Sequence, residues 1–287
     1  MAGAARGEGL GNKFLANIRE TDAIAHVVRC FENDGLVHVA GAVDPARDIE
    51  TIDTELALAD LESVEKALDR ATRQAKIGDK KVLFHKTLLE RLRDHLDAGR
   101  PARTMAQSAD ERRELHDLFL LTAKPVLYIA NVDEGGFEDN PLLETVRGFA
   151  RDEDAELVAV CAAIEAELVE LEADERKGFL ADMGLEEPGL NRVVQAGYRL
   201  LGLETFFTAG PKEVRAWTIP RNTSAPRTAG VIHTDFERGF IRAEVIAYED
   251  FVACKGEQGA REAGKLRSEG KDYIVRDGDV IHFRFNV

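Results

Sequence analysis

The residues with the clearest chemical potential are Asn131, Val132, Asp133 and Glu134, which follow directly on the apolar run at 126–130. That run is short, nearly unbroken and rich in β-branched and aromatic side chains, as in a strand covered on both faces of a parallel sheet. Ligands of such sheets sit outside the carboxyl ends of the strands, so an amide and two carboxylates delivered there can read the hydrogen-bonding edge of a nucleobase. Asn and Asp after a strand are also plain turn formers, and Gly135 and Gly136 let the chain turn away. A second segment repeats the design. Residues 156–161 read as another buried strand, followed by the small residues Ala162 and Ala163 and a helix beginning near Ile164. Two adjacent strands with these ends would make two walls of one base pocket.

With 287 residues and 44% apolar content the chain is long enough for two or three units, each with a core. It contains no apolar run of membrane-spanning length and no charged-then-apolar leader, so a cytoplasmic protein without a membrane partner is expected. Cys30, Cys161 and Cys254 lie far apart, and no histidine stands at ligand spacing from a cysteine, so buried thiols and no structural metal are expected. The net charge of −15 is unevenly placed: residues 211–287 carry 13 Lys and Arg against 12 Asp and Glu. An acidic body repels nucleic acid at long range; any RNA contact must come from local basic patches.

The elements that would position the pocket follow in order. A glycine-rich opening runs into an amphipathic helix at 13–20, and a buried strand follows at 22–30. A short strand at 36–39 is a further expectation. Asp44-Pro45 suits a helix entry. From Asp48 the apolar positions Ala57, Leu61, Val64, Leu68, Ala71 and Ala75 recur at three and four residues, and the pattern resumes beyond Gly78 at Val82, His85, Leu89, Leu92 and Leu96. This is an antiparallel helical hairpin with a coiled-coil seam. Its tip carries Lys76, Lys80 and Lys81, either a solvated end or an RNA contact. Helices are expected at 109–121, 164–174 and 191–201. Beyond Leu203, short strands at 214–218, 230–234, 242–247, 273–275 and 280–285, with a helix at 260–268, fit a β-grasp-like module.

The blocks Arg6 to Cys30, Asp48 to Asp60, Asn131 to Glu134 and Ala229 to Ile246 resemble the YchF family of Obg-related P-loop NTPases, and the likeness covers essentially the whole chain. The resemblance implies an α/β fold: a partial P-loop G domain, mainly parallel sheet with helices, at 1–45 and 119–201; an inserted antiparallel helical hairpin at 46–118; and a C-terminal β-grasp TGS domain at 202–286. It implies a ribosome-associated protein that uses Mg2+ and prefers ATP to GTP, with the ribosome and ribosomal RNA as partners. By the same resemblance Asn131, Val132, Glu134, Cys161, Ala162 and Ala163 line the adenine site.

The sequence departs from the family in one respect. It contains no Gly-x-x-x-x-Gly-Lys-Ser/Thr, so the phosphate cradle and the Mg2+ ligands are absent from these residues. An N-terminally truncated form is therefore expected, with little hydrolysis and no catalytic residue among the 287. Where GTPases place lysine second and aspartate fourth in the base-reading turn, this chain has Val132 and Glu134. A carboxylate facing adenine N1 gains nothing, whereas an unmade buried hydrogen bond costs about 1–3 kcal/mol, so strict guanine selection is not expected. The alternative is a non-catalytic ribosome- or RNA-binding module. Its phosphate contacts would be Arg215, Arg221, Arg227, Arg238 and Arg242 with Lys76, Lys80 and Lys81.

Overall fold

Three parallel strands, β1 (Ile24–Arg29), β2 (Val126–Asn131) and β3 (Glu156–Val160), form the sheet that carries the Asn131 turn. The computed structural model describes residues 11–33, 35, 36, 38, 41–75 and 79–286. The glycine-rich opening before Gly11, Lys76, and Val37 and Val39 of the expected 36–39 strand lie outside the described residues, and neither Leu36 nor His38 is part of a strand. The chain divides into two units, Met1–Leu200 and Leu201–Val287.

In the first unit β2 lies between β1 and β3, with Val28 beside Ala130 and Ala130 beside Ala159. Residues 126–130 of β2 are all buried, because a parallel sheet is covered on both faces. On one face, Leu143, Val146 and Ala150 of α5 (Pro141–Asp152) pack with Val28, Tyr128 and Ala130. On the other, Val193 and Ala196 of α8 (Gly189–Leu201) pack with Leu127, Ile129, Val158 and Val160. A short helix α1 (Gly11–Arg19) precedes the sheet.

The hairpin consists of α2 (Pro45–Gln74) and α3 (Lys80–Asp97). Asp44 caps α2 by accepting the Arg47 amide, and Pro45 occupies the first turn, where its missing N–H costs nothing. Ala57, Val64, Leu68 and Ala71 close against Leu88, Leu89, Leu92 and Leu96. Leu88, absent from the expected seam, is buried in it, while His85 stands at the edge. Its Nδ1 lies 2.9 Å from a Glu114 carboxylate oxygen, at ion-pair distance but off the hydrogen-bond direction.

The helix expected at 109–121 is shorter. Here α4 (Ala109–Leu115) passes into a 3-10 turn, His116–Leu118, and Phe119 takes a left-handed conformation. The reason lies in α2: the wholly buried Asp60 accepts the amides of Leu121 and Thr122 at 2.9 and 2.7 Å and the Thr122 hydroxyl at 2.7 Å. Those groups serve the hairpin root and cannot extend a helix. The acidic helix expected at 164–174 is likewise two, α6 (Ala162–Glu170) and α7 (Ala173–Asp182). They part at Leu171, where Glu172 and Glu175 form a reciprocal capping box that starts the second.

The second unit is a five-stranded mixed sheet of order β5-β4-β8-β6-β7. Its strands are β4 (Leu203–Ala209), β5 (Val214–Pro220), β6 (Phe240–Ala247), β7 (Arg267–Glu269) and β8 (Asp279–Phe285). Phe206, Ile219, Ala225, Ala229, Val245 and Phe283 share its core. The strand expected at 230–234 is helical: α9 (Ala225–Ile232) is followed by α10 (Thr234–Arg238). Ala225, Thr228 and Ala229, at spacings of three and four, are the buried face of α9, and the His233 imidazole accepts the Asp235 amide to open α10. Residues 273–275 contribute only an isolated bridge between Ile274 and Ser224. The helix expected at 260–268 is α12 (Glu257–Glu262), stopped by Gly264 at φ +70, after which Arg267–Glu269 pairs with β6. Strand β4 and the helix α11 (Tyr248–Ala253) had no counterpart in the sequence reading. Among the described residues no helix is long and apolar enough to cross a membrane.

Candidate functional site

The turn after β2 is set by hydrogen bonds that the sequence pattern alone does not display. The Val132 amide donates to the Val160 carbonyl at 2.8 Å, carrying the pairing with β3 one residue past the end of β2. Asn131 Oδ1 accepts the Ala162 amide at 3.0 Å. The remaining side-chain donor, Nδ2, has no protein partner among the described residues. Asn140 anchors the far side: its Nδ2 donates to the Cys30 and Gly136 carbonyls, and its Oδ1 accepts the Leu142 and Leu143 amides to cap α5. Gly136 packs closely: a Cβ there would lie 3.0 Å from the Asn140 Nδ2 that these bonds hold and 3.1 Å from the Val132 Cβ, and the exposed Asp133 carboxylate would have to turn aside.

These constraints shape an open cavity of about 710 Å³. All six expected base-site residues, Asn131, Val132, Glu134, Cys161, Ala162 and Ala163, line it. The two alanines do so from inside α6, which begins at Ala162 and not near Ile164, so the small side chains belong to a helix's first turn. Cys161 and Cys30 are buried, and burial pushes the Cys30 thiol up to about 12, leaving it a neutral packing group. Cys254 is only partly buried.

The sequence reading missed a third wall, formed by Phe31, Glu32, Asn33 and Leu36 after β1. The signal was available: the rule that points to the carboxyl ends of β2 and β3 applies equally to the strand ending at Arg29.

The donor set suits a purine. Phe31, Leu36, Val132 and the alanines offer apolar surface, and Asn131 Nδ2 offers a donor to a ring nitrogen. The same lining does not fit phosphates with Mg2+: it includes Glu32, Asp133 and Glu134 but no Lys, Arg, Ser or Thr.

A cleft of similar size, about 750 Å³, opens at the amino ends of β1 and β2, lined by Asp22, Arg103, Phe119, Lys124 and Pro125 among others. Its cations are already committed. Arg19 donates to the Phe119 and Ala59 carbonyls and stands 3.6 Å from Asp60, Lys124 donates to the Arg19 and Thr21 carbonyls, and Arg103 pairs with Glu153 at 2.7 Å. The smaller-looking chemistry at the strand ends is therefore the better candidate.

The basic residues expected to meet RNA are not alike. Lys80 and Lys81 are exposed at the start of α3, and Arg227 and Arg238 are exposed on α9 and α10; none of the four side chains has an ionic partner among the described residues. Arg221 pairs with Glu204 at 3.8 Å and Arg242 with Glu244 at 3.0 Å. Arg215 lies over the Trp217 ring at 4.0 Å, with β5 at the sheet edge. Glu244, Glu257 and His282 bring ligand atoms within 4.8 Å of one another. Glu244 also accepts from Arg284 at 2.9 Å, and that bond with its neighbour Arg242 holds the carboxyl below the usual range. The cluster reads as an ion-pair network, already neutralised.

Comparison with known proteins agrees with this architecture. Residues 203–286 match the family YchF-GTPase_C, described as "Protein of unknown function (DUF933)". The chain is 63% identical to the "Ribosome-binding ATPase YchF" of Haemophilus ducreyi over 287 residues, all of this chain and 79% of that protein. It is 52% identical to the protein of the same name in Bacillus subtilis, over all of this chain and 79% of that protein. Among solved structures it is similar to the Schizosaccharomyces pombe YchF GTPase, with TM-score 0.82 and 35% identity over 96% of this chain and 75% of that one.

Proposed function

This chain belongs to the YchF family, and on that premise we propose that it is a cytoplasmic, ribosome-associated protein that binds ATP in preference to GTP at the carboxyl ends of β1, β2 and β3. The observation that carries the proposal is the convergence of Asn131, Val132, Glu134, Cys161, Ala162 and Ala163 on one cavity, with Asn131 Oδ1 tied to Ala162. That tie orients Nδ2 as the donor for purine N7. Val132 supplies no cation beside the base. Glu134 stands where a guanine reader needs a shorter carboxylate to accept two N–H groups, so guanine is not favoured.

In this reading residues 1–45 and 119–201 form a G domain interrupted by the hairpin at 46–118, and residues 202–286 are a β-grasp TGS domain. Phosphoryl transfer depends on positioning and on charge stabilisation around the phosphates. The cavity residues supply the base side of that chemistry, and the 287 residues by themselves hydrolyse little ATP. Calorimetric titration of the chain with ATP and GTP tests the proposal: ATP should bind more tightly, and Glu134→Asp should move the ratio toward GTP. Equal affinities, unmoved by that substitution, would sink it.

A second reading, ribosomal RNA bound through the hairpin tip and the second unit with nucleotide as regulator, is favoured by the exposed Lys80, Lys81, Arg227 and Arg238, which have no ionic partner among the described residues. Phosphate contacts make affinity fall steeply with salt, with a slope that drops as contacts are removed. Ribosome binding by Lys80→Glu/Lys81→Glu with the salt slope of the parent chain would count against the tip.

A further inference from the structure

We propose that Arg29 is a positioning residue that builds the third wall of the base cavity, holding Phe31 against the bound base. The proposal rests on the reading of that cavity as an adenine-nucleotide site. Arg29 is the last residue of β1, and the Cys30 amide still pairs with the Asn131 carbonyl at 2.7 Å, so the guanidinium springs from a fixed point. It then gathers the following loop. Nε donates to the Phe31 carbonyl at 3.0 Å, one terminal nitrogen to the Leu36 carbonyl at 3.1 Å, and the other to the Asn33 carbonyl at 3.4 Å. The guanidinium carbon also lies 4.6 Å from the centroid of the Phe31 ring. The loop is closed further by Asn33, whose Oδ1 accepts the Gly35 amide at 2.8 Å and whose carbonyl accepts the Leu36 amide at 3.1 Å.

Phe31, Asn33 and Leu36, whose carbonyls Arg29 holds, all line the cavity. Three acceptors facing one planar cation call for the fixed fork of arginine, and the cation on the aromatic face adds to it. An ammonium has donors but neither the plane nor the spread. All of the bonded carbonyls lie within seven residues of Arg29, and none belongs to another helix or strand. Losing the guanidinium therefore frees the loop and leaves the sheet and its core intact. The loop must then be ordered when ligand binds, and that ordering weakens binding.

The test uses the 287-residue chain with ATP as the probe, observed by NMR at adenine H2 and H8, in the parent and in Arg29→Met, Arg29→Lys and Asn131→Ala. The expected result for Arg29→Met is a Kd for ATP raised about tenfold, the weight of one or two hydrogen bonds, with loss of the upfield shift that a stacked ring induces at H2 and H8. The thermal midpoint should be unchanged, and Arg29→Lys should recover only part of the affinity. Parent-like affinity and ring shift in Arg29→Met, while Asn131→Ala loses binding, would overturn the role of Arg29 and leave the site standing. Loss of the folding transition in both Arg29 variants would make the residue structural and overturn the proposal as well. Binding in Asn131→Ala equal to the parent would overturn the site itself, and this inference with it.

Discussion

Asn131 Oδ1 accepts the Ala162 amide at 3.0 Å, so a single side chain joins the end of β2 to the first turn of α6. Removing it should act twice, by loosening the two walls and by deleting the Nδ2 donor. Asn131→Ala is expected to raise the Kd for ATP at least about tenfold, since a lost hydrogen bond and an amide left without its acceptor each weigh about 1 kcal/mol or more. Calorimetry checks the affinity, and a denaturation midpoint separates it from loss of fold.

Asp60 holds the hairpin root to the segment entering β2. Its carboxylate takes two backbone amides and a hydroxyl, and the Thr122 hydroxyl oxygen in turn accepts the Ala102 amide at 3.0 Å. Burial pushes the Asp60 carboxyl up, while the bonds from Thr122 and Leu121 pull it down. Asp60→Ala strands all three donors together and removes the carboxylate 3.6 Å from Arg19, whose bonds to the Phe119 and Ala59 carbonyls remain. Breaking one partner of a buried charged network costs about 3–5 kcal/mol, and urea unfolding of the variant should show a loss of that order.

Asp53 and His26 should give the stability a pH dependence of two opposing signs. They share a half-buried cluster: Arg103 lies 3.7 Å from Asp53 and 2.7 Å from Glu153, the Tyr128 hydroxyl donates to Glu153 at 3.1 Å, and the His26 ring lies tilted against Tyr128 with centroids 5.6 Å apart. Burial pushes Asp53 from 3.8 up to about 6, against the pull of Arg103. The folded protein thus holds a proton there that the unfolded chain has released, so this contribution is full below the unfolded value and is lost as pH rises through about 6. Burial, then Arg103, lowers His26 from 6.5, so its contribution is present above that value and is lost as pH falls. Asp53→Asn removes the first contribution only. Its urea midpoint should rise more steeply than the parent's between about pH 4 and pH 6.

Residues 201–287 should fold by themselves. Phe206 stacks on Trp217 and meets Phe283 edge-on, with centroids 6.3 and 6.0 Å apart, and the core around them is drawn wholly from this unit. The expected outcome is one cooperative thermal transition, with far- and near-ultraviolet circular dichroism coinciding. Gradual loss of signal without a common midpoint would show that the unit needs the rest of the chain.

The hairpin and the Asn131 turn were legible because each rests on short-range order. A repeat of three and four residues from Ala57 to Ala71 fixes which face of α2 is buried whatever it packs against. An apolar run as short as 126–130 that ends in Asn-x-x-Glu places its polar groups at a strand end. Segment 230–234 was not legible. Its β-branched Val231 and Ile232 favour a strand, and burial of Ala225, Thr228 and Ala229 in the second unit's core makes it helical.

By itself the sequence determined the strand that ends in Asn131, the paired wall at Cys161 to Ala163, and the family to which the chain belongs. Those signals lie within a few residues of one another, where periodicity and covalent order suffice. Only the tertiary structure decided that Asp60 would claim the amides of residues 121 and 122, and that Phe31, whose carbonyl Arg29 holds, would line the same cavity as Asn131. The first of these joins groups about sixty residues apart, and the second places a loop after β1 beside a turn about a hundred residues later. Hydrogen-bond geometry of that kind exists only once the sheet has brought its strand ends together.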